Sequence, residues 1–303
     1  MENNAPAAAV QAKPSTSQFK ENAMRILFIV CACVSILAVA LICVLLFATG
    51  LPTIFEIGPL NFLLGTEWRP SNDIYGIFPM IVGSIYVTAG ALIVGVPVGL
   101  LTAMYLSFFA SERIKKILLP AIQLLAGIPS VVYGFFGVMV LVPWVAALAD
   151  PFDGSGMSMF TASLVLGIMI LPTIITVSKT SLDAVPGSYY EGSLALGATH
   201  ERSVFTIMLP AAKSGVLSAV ILGVGRAIGE TMAVIMVAGN QPIMPSGLFE
   251  GLRTMTSNIV LEMGYATGLH RQALIATGVV LFVFILLINL AVSLLNRRTH
   301  YGD

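Results

Sequence analysis

Charge is what this sequence has least of. Of its 303 residues, 10% are Asp, Glu, Lys or Arg and 57% are hydrophobic, whereas a soluble domain carries about 25% charged residues. So few charges cannot cover a globular surface, and so apolar a chain cannot stay disordered. Its solvent is mainly lipid. The 15 basic and 15 acidic residues cancel, which leaves no excess of positive charge to hold a nucleic acid. Cysteine is equally scarce. Cys31, Cys33 and Cys43 all lie in one apolar run, which offers neither a disulfide framework nor a paired-cysteine metal spacing. They read as small apolar side chains. The three histidines, His200, His270 and His300, have no metal-ligand spacing and read as solvated side chains. No nucleophile–base arrangement stands out. No Gly-Lys dipeptide occurs, so the chain lacks the G-x-x-x-x-G-K-[ST] phosphate loop of an ATPase.

Long apolar runs are what it has. Residues 1–25 form a polar lead, expected to be a cytoplasmic tail. The run at 26–48 exceeds the about 7–15 residues of a signal-peptide core. It reaches the about 20 residues that cross a bilayer. Ala48-Thr49-Gly50 resembles a cleavage site, but the length favours a retained first span. Five more runs follow at 81–109, 117–148, 161–177, 215–238 and 273–295. Each must be helical, because a span satisfies its backbone polar groups internally. The expected architecture is an all-α polytopic membrane protein of six helices, with a five-helix core over 79–296. Trp68, Trp144 and the scattered tyrosines fit interfacial anchors.

Basic residues orient these spans. With the N-terminus inside, Lys13, Lys20, Arg25, Arg113, Lys115, Lys116, Lys179, Arg202, Lys213, Arg297 and Arg298 all lie on the cytoplasmic side. Only Arg69, Arg253 and Arg271 lie outside, so the division is eleven against three. Both termini are expected in the cytoplasm.

The third run holds Pro120, Pro129 and Pro143, interleaved with Gly127, Gly134 and Gly137. Prolines inside a helix remove hydrogen bonds and kink it. Such a segment is either a kinked helix packed through its glycines or a broken helix whose freed carbonyls line a transport site.

The fifth run contains Arg226 and Glu230. An arginine or acid at mid-bilayer costs at least about 2.5–3.5 kcal/mol on insertion scales and is a functional candidate by default. Four residues apart, the two are expected on one helix face, with Gly223, Gly225 and Gly229 leaving room beside them. The guanidinium fork matches tetrahedral oxyanions, and Glu230 would hold it while keeping a passing anion from binding too tightly. The alternative is a buried salt bridge that fixes helix packing.

Between the fourth and fifth runs, residues 179–214 leave the membrane without looking like a linker. Glu191, Ala195 and Ala198 recur at helical spacing, and Leu209-Pro210 closes a second short segment. Glu191-Gly192-Ser193-x-x-x-Gly197, then nine residues, then Ile207-x-Leu209-Pro210 resembles the EAA loop of ABC importer permeases. Gly192 and Ser193 replace that motif's two alanines with other small residues. The resemblance implies that Glu191, Gly192, Ser193, Gly197, Ile207, Leu209 and Pro210 form a coupling loop that seats on a separate ATPase subunit.

GRAIGETMAV, with GIPSVVYGFFG upstream and TMTSNIVLEMGYA downstream, resembles the permeases of the bacterial phosphate-specific transport system. The TMAV continuation and the Glu262-Met263-Gly264 segment look more like the C than the A permease of that pair. This resemblance implies a type I (MetI-like) importer core with an added N-terminal helix, residing in the inner membrane. It also implies a second permease, an ATPase dimer and an external phosphate-binding protein. No cofactor is expected on this chain itself, since ATP and Mg would belong to the ATPase. Arg226 and Glu230 become substrate-pathway residues by position. The rivals are a permease for molybdate or sulfate, a gradient-driven secondary transporter or channel, and a structural or regulatory membrane subunit.

Overall fold

The computed structural model describes residues 16–152 and 154–299. Residues 1–15 of the expected tail, including Lys13, lie outside the described residues, as does His300. The described chain falls into two compact units, one ending at Ala48 and the other beginning at Thr49.

Among the described residues, the first unit is one helix. α1, Thr16–Ile57, starts within the stretch expected as tail and continues past position 48 through Pro52. From Ile26 to Val44 its large side chains are exposed, Ile36 at 71% and Leu37 at 69%, as suits a helix whose solvent is lipid.

In the second unit, α2 (Pro59–Leu64) leads into a two-residue antiparallel hairpin, β1 (Trp68–Arg69) and β2 (Ile74–Tyr75), with Trp68 opposite Tyr75. The helices that follow are α3 (Phe78–Met104), α4 (Glu112–Gly127), α5 (Ser130–Phe136) and α6 (Val142–Ala149). Then come α7 (Met159–Asp183), the short α8 (Gly187–Ala195), α9 (His200–Ser203) and α10 (Leu209–Ala211). α11 (Lys213–Gly229), α12 (Met232–Val237), α13 (Met255–Met263) and α14 (Gly268–Thr299) complete the unit.

The centre of the bundle is the α3–α7 pair. Ser163 bonds the Val87 carbonyl, Gly95 faces Ile170 and Gly99 faces Ile174, so the two helices run in the same direction. Small residues let them close. A Cβ on Gly95 would stand 2.7 Å from Ile170, and one on Gly99 would stand 2.7 Å from Ile174. In lipid there is no hydrophobic drive between helices, so such close backbone packing supplies the association. α11 returns antiparallel, with Gly215 beside Ser181 and Gly223 beside Ile174.

Five described helices are long and apolar enough to cross a membrane: 20–57, 78–109, 130–149, 159–183 and 268–291. A sixth counts if the pair at 200–211 and 213–229, bent by 71°, is one span. Two of the expected spans are broken. The third divides at Ile128 and Pro129: α4 lays Leu118, Leu119 and Ile122 against the cluster of Leu106, Ala110 and Ile175, and α5–α6 form the crossing. At this break the carbonyl of Leu125 accepts both the Ile128 N–H at 3.3 Å and the Tyr133 hydroxyl at 2.8 Å. Gly134 and Gly137 pack against Ala233 and Val237 of α12. The segment is therefore a broken helix rather than a kinked one, and its glycines pack the second part against α12. Pro143 follows a π-helical turn at Gly137–Leu141, and Pro210 follows another at Val204–Met208. Widened turns relieve the clash of a proline ring with the preceding turn.

The expected fifth span at 215–238 also breaks. α11 ends at Gly229, Glu230 is extended (φ −71°, ψ 133°), and α12 restarts at Met232.

Candidate functional site

Arg226 lies in the last turn of α11. Its Nη1 donates to Thr173 Oγ1 on α7 at 3.3 Å. Because the helix stops at Gly229, the four-residue spacing to Glu230 does not place the two charges on one continuous helix face. The expected pairing is corrected accordingly: among the described residues, no carboxylate comes within ion-pair distance of Arg226. Glu230 turns the other way. Its Oε1 accepts the Ala233 N–H at 3.2 Å, taking up a free donor at the start of α12, and its carbonyl accepts the Thr256 hydroxyl at 3.1 Å. A Cβ on Gly225 or Gly229 would meet nothing within 4 Å, whereas Gly223 is packed on Ile174. Arg226 is thus half-buried beside open space, with one neutral hydrogen-bond partner.

At the end of the bundle where α3 and α7 finish, α8 carries Glu191, Gly192 and Ser193. Glu191 and Gly192 are exposed, and Ser193 Oγ bonds the Tyr190 carbonyl at 2.8 Å. The helix ends through paired bonds, Gly197 N–H to the Leu194 carbonyl and Ala198 N–H to the Ser193 carbonyl, with Gly197 at φ +87°. This termination needs a left-handed residue, so the glycine is a backbone requirement. It turns the chain so that Leu196 stands 91% exposed at the tip. Tyr189 and Leu194 are exposed on the same segment. Ile207 lies in the π-helical turn, Leu209 packs toward Val204 and Ala212, and Pro210 is exposed. The motif residues therefore divide in two. Glu191, Gly192 and Gly197 shape an open surface, and Leu209 anchors it to the bundle.

The family model described as binding-protein-dependent transport system inner membrane component matches residues 95–301, more than half of the chain. The chain belongs to that family. A probable ABC transporter permease protein, YqgH of Bacillus subtilis, is 38% identical to this permease over 93% of its length and 92% of the relative's. The phosphate transport system permease protein PstC of Pasteurella multocida is 35% identical over 74% of this chain and 75% of the relative. Among solved structures, the inward-facing MetNI methionine ABC transporter aligns with TM-score 0.55 at 18% identity, over 74% of this chain and 94% of the other. The bacterial alginate ABC transporter aligns with TM-score 0.59 at 14% identity, over 94% and 98%. At those identities the likeness shows the fold, which is that of an ABC importer permease. The protein is a multi-pass membrane permease rather than an enzyme, and it works as one subunit of a larger transporter.

At the opposite end of the permease bundle, a polar network stands that the sequence did not announce. Glu262 is 6% exposed. Arg253 donates to its Oε1 at 2.5 Å, and Trp68 Nε1 reaches its Oε2 at 2.9 Å. His270 Nε2 meets the same Oε2 at 2.8 Å. Arg253 also donates to Asn258 and to the Asn240 carbonyl. Two expectations are corrected here, since His270 is bonded rather than solvated and Trp68 is buried at 5% exposure. The ring of Tyr75 stacks on His270 with centroids 6.2 Å apart. Burial, aided by the hydrogen bond to Asp73, pushes the Tyr75 hydroxyl up to about 12, so it stays a neutral donor. One carboxylate ties together the hairpin, the loop before α13 and the start of α14. The available signal was an acid inside the apolar run NIVLEMGYA.

Proposed function

We propose that this chain is the permease subunit of an importer for inorganic phosphate, driven by ATP through alternating access. The observation that carries the reading is Arg226, an arginine within the bilayer whose charge no carboxylate among the described residues balances. An unpaired guanidinium there costs at least about 2.5–3.5 kcal/mol. The single hydrogen bond to Thr173, long at 3.3 Å, offsets about 1.5 kcal/mol, the low end for a charged donor. The remaining cost is met by a water-lined cavity between permease subunits and, in passage, by the tetrahedral anion that the guanidinium fork fits. An internal carboxylate partner would compete with that anion, and Glu230 instead caps α12. Similarity to phosphate transport permeases supports the choice of phosphate among oxyanions.

Both termini face the cytoplasm, as the basic-residue count favours. The loop at 179–214 is then cytoplasmic and the Glu262 network faces outward. The chain pairs with a second, related permease. α8 and Leu196 seat in a dimer of ATPase subunits, which bind ATP and Mg. An external phosphate-binding protein delivers substrate to the outer face. Glu191, Gly192, Ser193, Gly197, Ile207, Leu209 and Pro210 form the coupling surface; Arg226 meets substrate, and Glu230 holds the break beside it.

The test is phosphate uptake by cells that lack their own phosphate permeases and express this chain with its partner subunits, with sulfate and molybdate as competitors. Uptake that needs ATP, that only phosphate competes away and that Arg226→Gln abolishes in an assembled complex is the expected result. Uptake competed equally by sulfate or molybdate would reassign the substrate. Normal uptake by Arg226→Gln would remove the role given to that residue.

A further inference from the structure

His200 was expected to be a solvated side chain, and the fold gives it two directional partners instead. Its Nδ1 lies 2.7 Å from the hydroxyl of Tyr190, with the ring centroids 5.7 Å apart at 89°. On the other side, the Phe109 ring meets it edge-on at 4.5 Å and 64°. These three residues come from separate segments. Tyr190 is on α8, His200 opens α9, and Phe109 is the last residue of the π-helical turn that finishes the α3 span. The position is fixed locally as well, because Thr199 caps α9 by accepting the Arg202 N–H at 3.3 Å. The Tyr190 ring packs toward Ala103, Met104, Leu182 and Val204. That apolar contact can slide, since burial has no direction. The hydrogen bond and the edge-on aromatic contact both have defined geometry.

We propose that His200 is a positioning residue that joins the coupling helix to the inner end of the α3 span. The inference rests on reading α8 as the helix on which the ATPase seats. A displacement of α8 by the moving ATPase is carried through Tyr190 and His200 to Phe109, and so to α3. From there the close α3–α7 contact passes it toward Thr173 and Arg226. Without the ring, α8 remains folded and can still dock, but its movement is no longer tied to the span.

The experiment uses the assembled transporter in proteoliposomes and measures phosphate carried per ATP hydrolysed. His200→Ala is expected to lower that ratio at least tenfold, while ATP hydrolysis and subunit assembly stay within twofold of wild type. Tyr190→Phe keeps the packing and removes only the hydrogen bond, so its ratio should fall by a smaller factor. His200→Asn places an amide near the former Nδ1 and should recover part of the loss. An unchanged ratio in both His200→Ala and Tyr190→Phe would overturn the proposal. A parallel loss of transport, hydrolysis and assembly would overturn it too, since that marks a merely structural residue. Leu196→Asp separates the two levels. If that variant detaches the ATPase while His200→Ala leaves the ratio unchanged, only the relay fails. If the ATPase stays bound and active on Leu196→Asp, the docking reading fails and the relay goes with it.

Discussion

Replacing Leu196 by alanine tests the docking surface where the structure makes the expected effect largest. The side chain is 91% exposed at the tip of the loop, just before the glycine that turns the chain. The isolated permease therefore gains little from it. An exposed substitution of this kind changes stability by no more than about 0.5 kcal/mol. A partner that closes over the tip would remove nearly the whole side chain from water. Alanine lacks three of leucine's four side-chain carbons, and at about 0.8 kcal/mol per buried CH₂ complete burial is worth roughly 2.4 kcal/mol. Some exposure remains in any interface, so about 2 kcal/mol is the working figure, or about a 30-fold weaker Kd.

The assay is titration of the purified ATPase onto the permease pair in nanodiscs, with thermal unfolding of the permease measured alongside. The expected outcome is a Kd raised by more than tenfold at an unchanged unfolding temperature. Leu196→Asp should weaken binding further, because a carboxylate would have to be desolvated. Gly197→Ala should act by another route. A left-handed backbone at φ +87° costs an L-residue about 1–2 kcal/mol, and relaxing it misdirects the tip. A Kd within twofold of wild type for both Leu196 variants would refute the reasoning, because it would mean that no partner covers the tip.

Glu230→Gln should leave phosphate uptake within a few-fold of wild type, because an amide oxygen can still accept the Ala233 N–H, whereas Arg226→Gln should abolish uptake and Arg226→Lys should retain part of it. Equal loss in the Glu230 and Arg226 variants, measured as initial uptake rates, would restore the ion pair that the geometry denies. Gly95→Ala should lower the unfolding temperature in detergent through overpacking worth about 1–3 kcal/mol, because the new Cβ would stand 2.7 Å from Ile170 and 3.0 Å from the Gly167 carbonyl. Gly95→Ala should cost less in an Ile170→Ala background than in the native chain, and an equal cost in both backgrounds would place the clash elsewhere. Glu262→Ala removes one partner of a buried pair, which costs about 3–5 kcal/mol, and should lower the unfolding temperature more than Glu262→Gln, which can still accept from Trp68. Equal unfolding temperatures for wild type and Glu262→Ala would show that the network contributes nothing to stability.

What the sequence disclosed and what it hid divide along a physical line. Spans were legible because a bilayer admits only long apolar helices, so hydropathy alone found the apolar runs, although the third crossing begins at 130 rather than 117 and the first helix runs on to 57. The α8 turn was legible because a helix that ends in a left-handed residue asks for glycine, and Gly197 stands there. Helix breaks were not legible in the same way. GRAIGETMAV carries no proline, and its one local cue is Gly229, the last residue of α11 before the extended Glu230, which among so many membrane glycines marks nothing by itself; beyond the break Gly134 of α5 admits Ala233 and Met236. A spacing argument that assumed a continuous helix therefore paired Arg226 with a carboxylate that points elsewhere. The histidines failed for a related reason. Trp68, Arg253, Glu262 and His270 are separated by up to 202 positions and meet only because α3, α13 and α14 bring their ends together. Polar residues at the ends of spans look solvated in a sequence, since each sits in a loop. In a bundle those ends are crowded, and a buried polar group must find a partner there. Span-end Trp, His and carboxylate residues in such chains are therefore better read together, as candidates for one network, than singly as interfacial anchors.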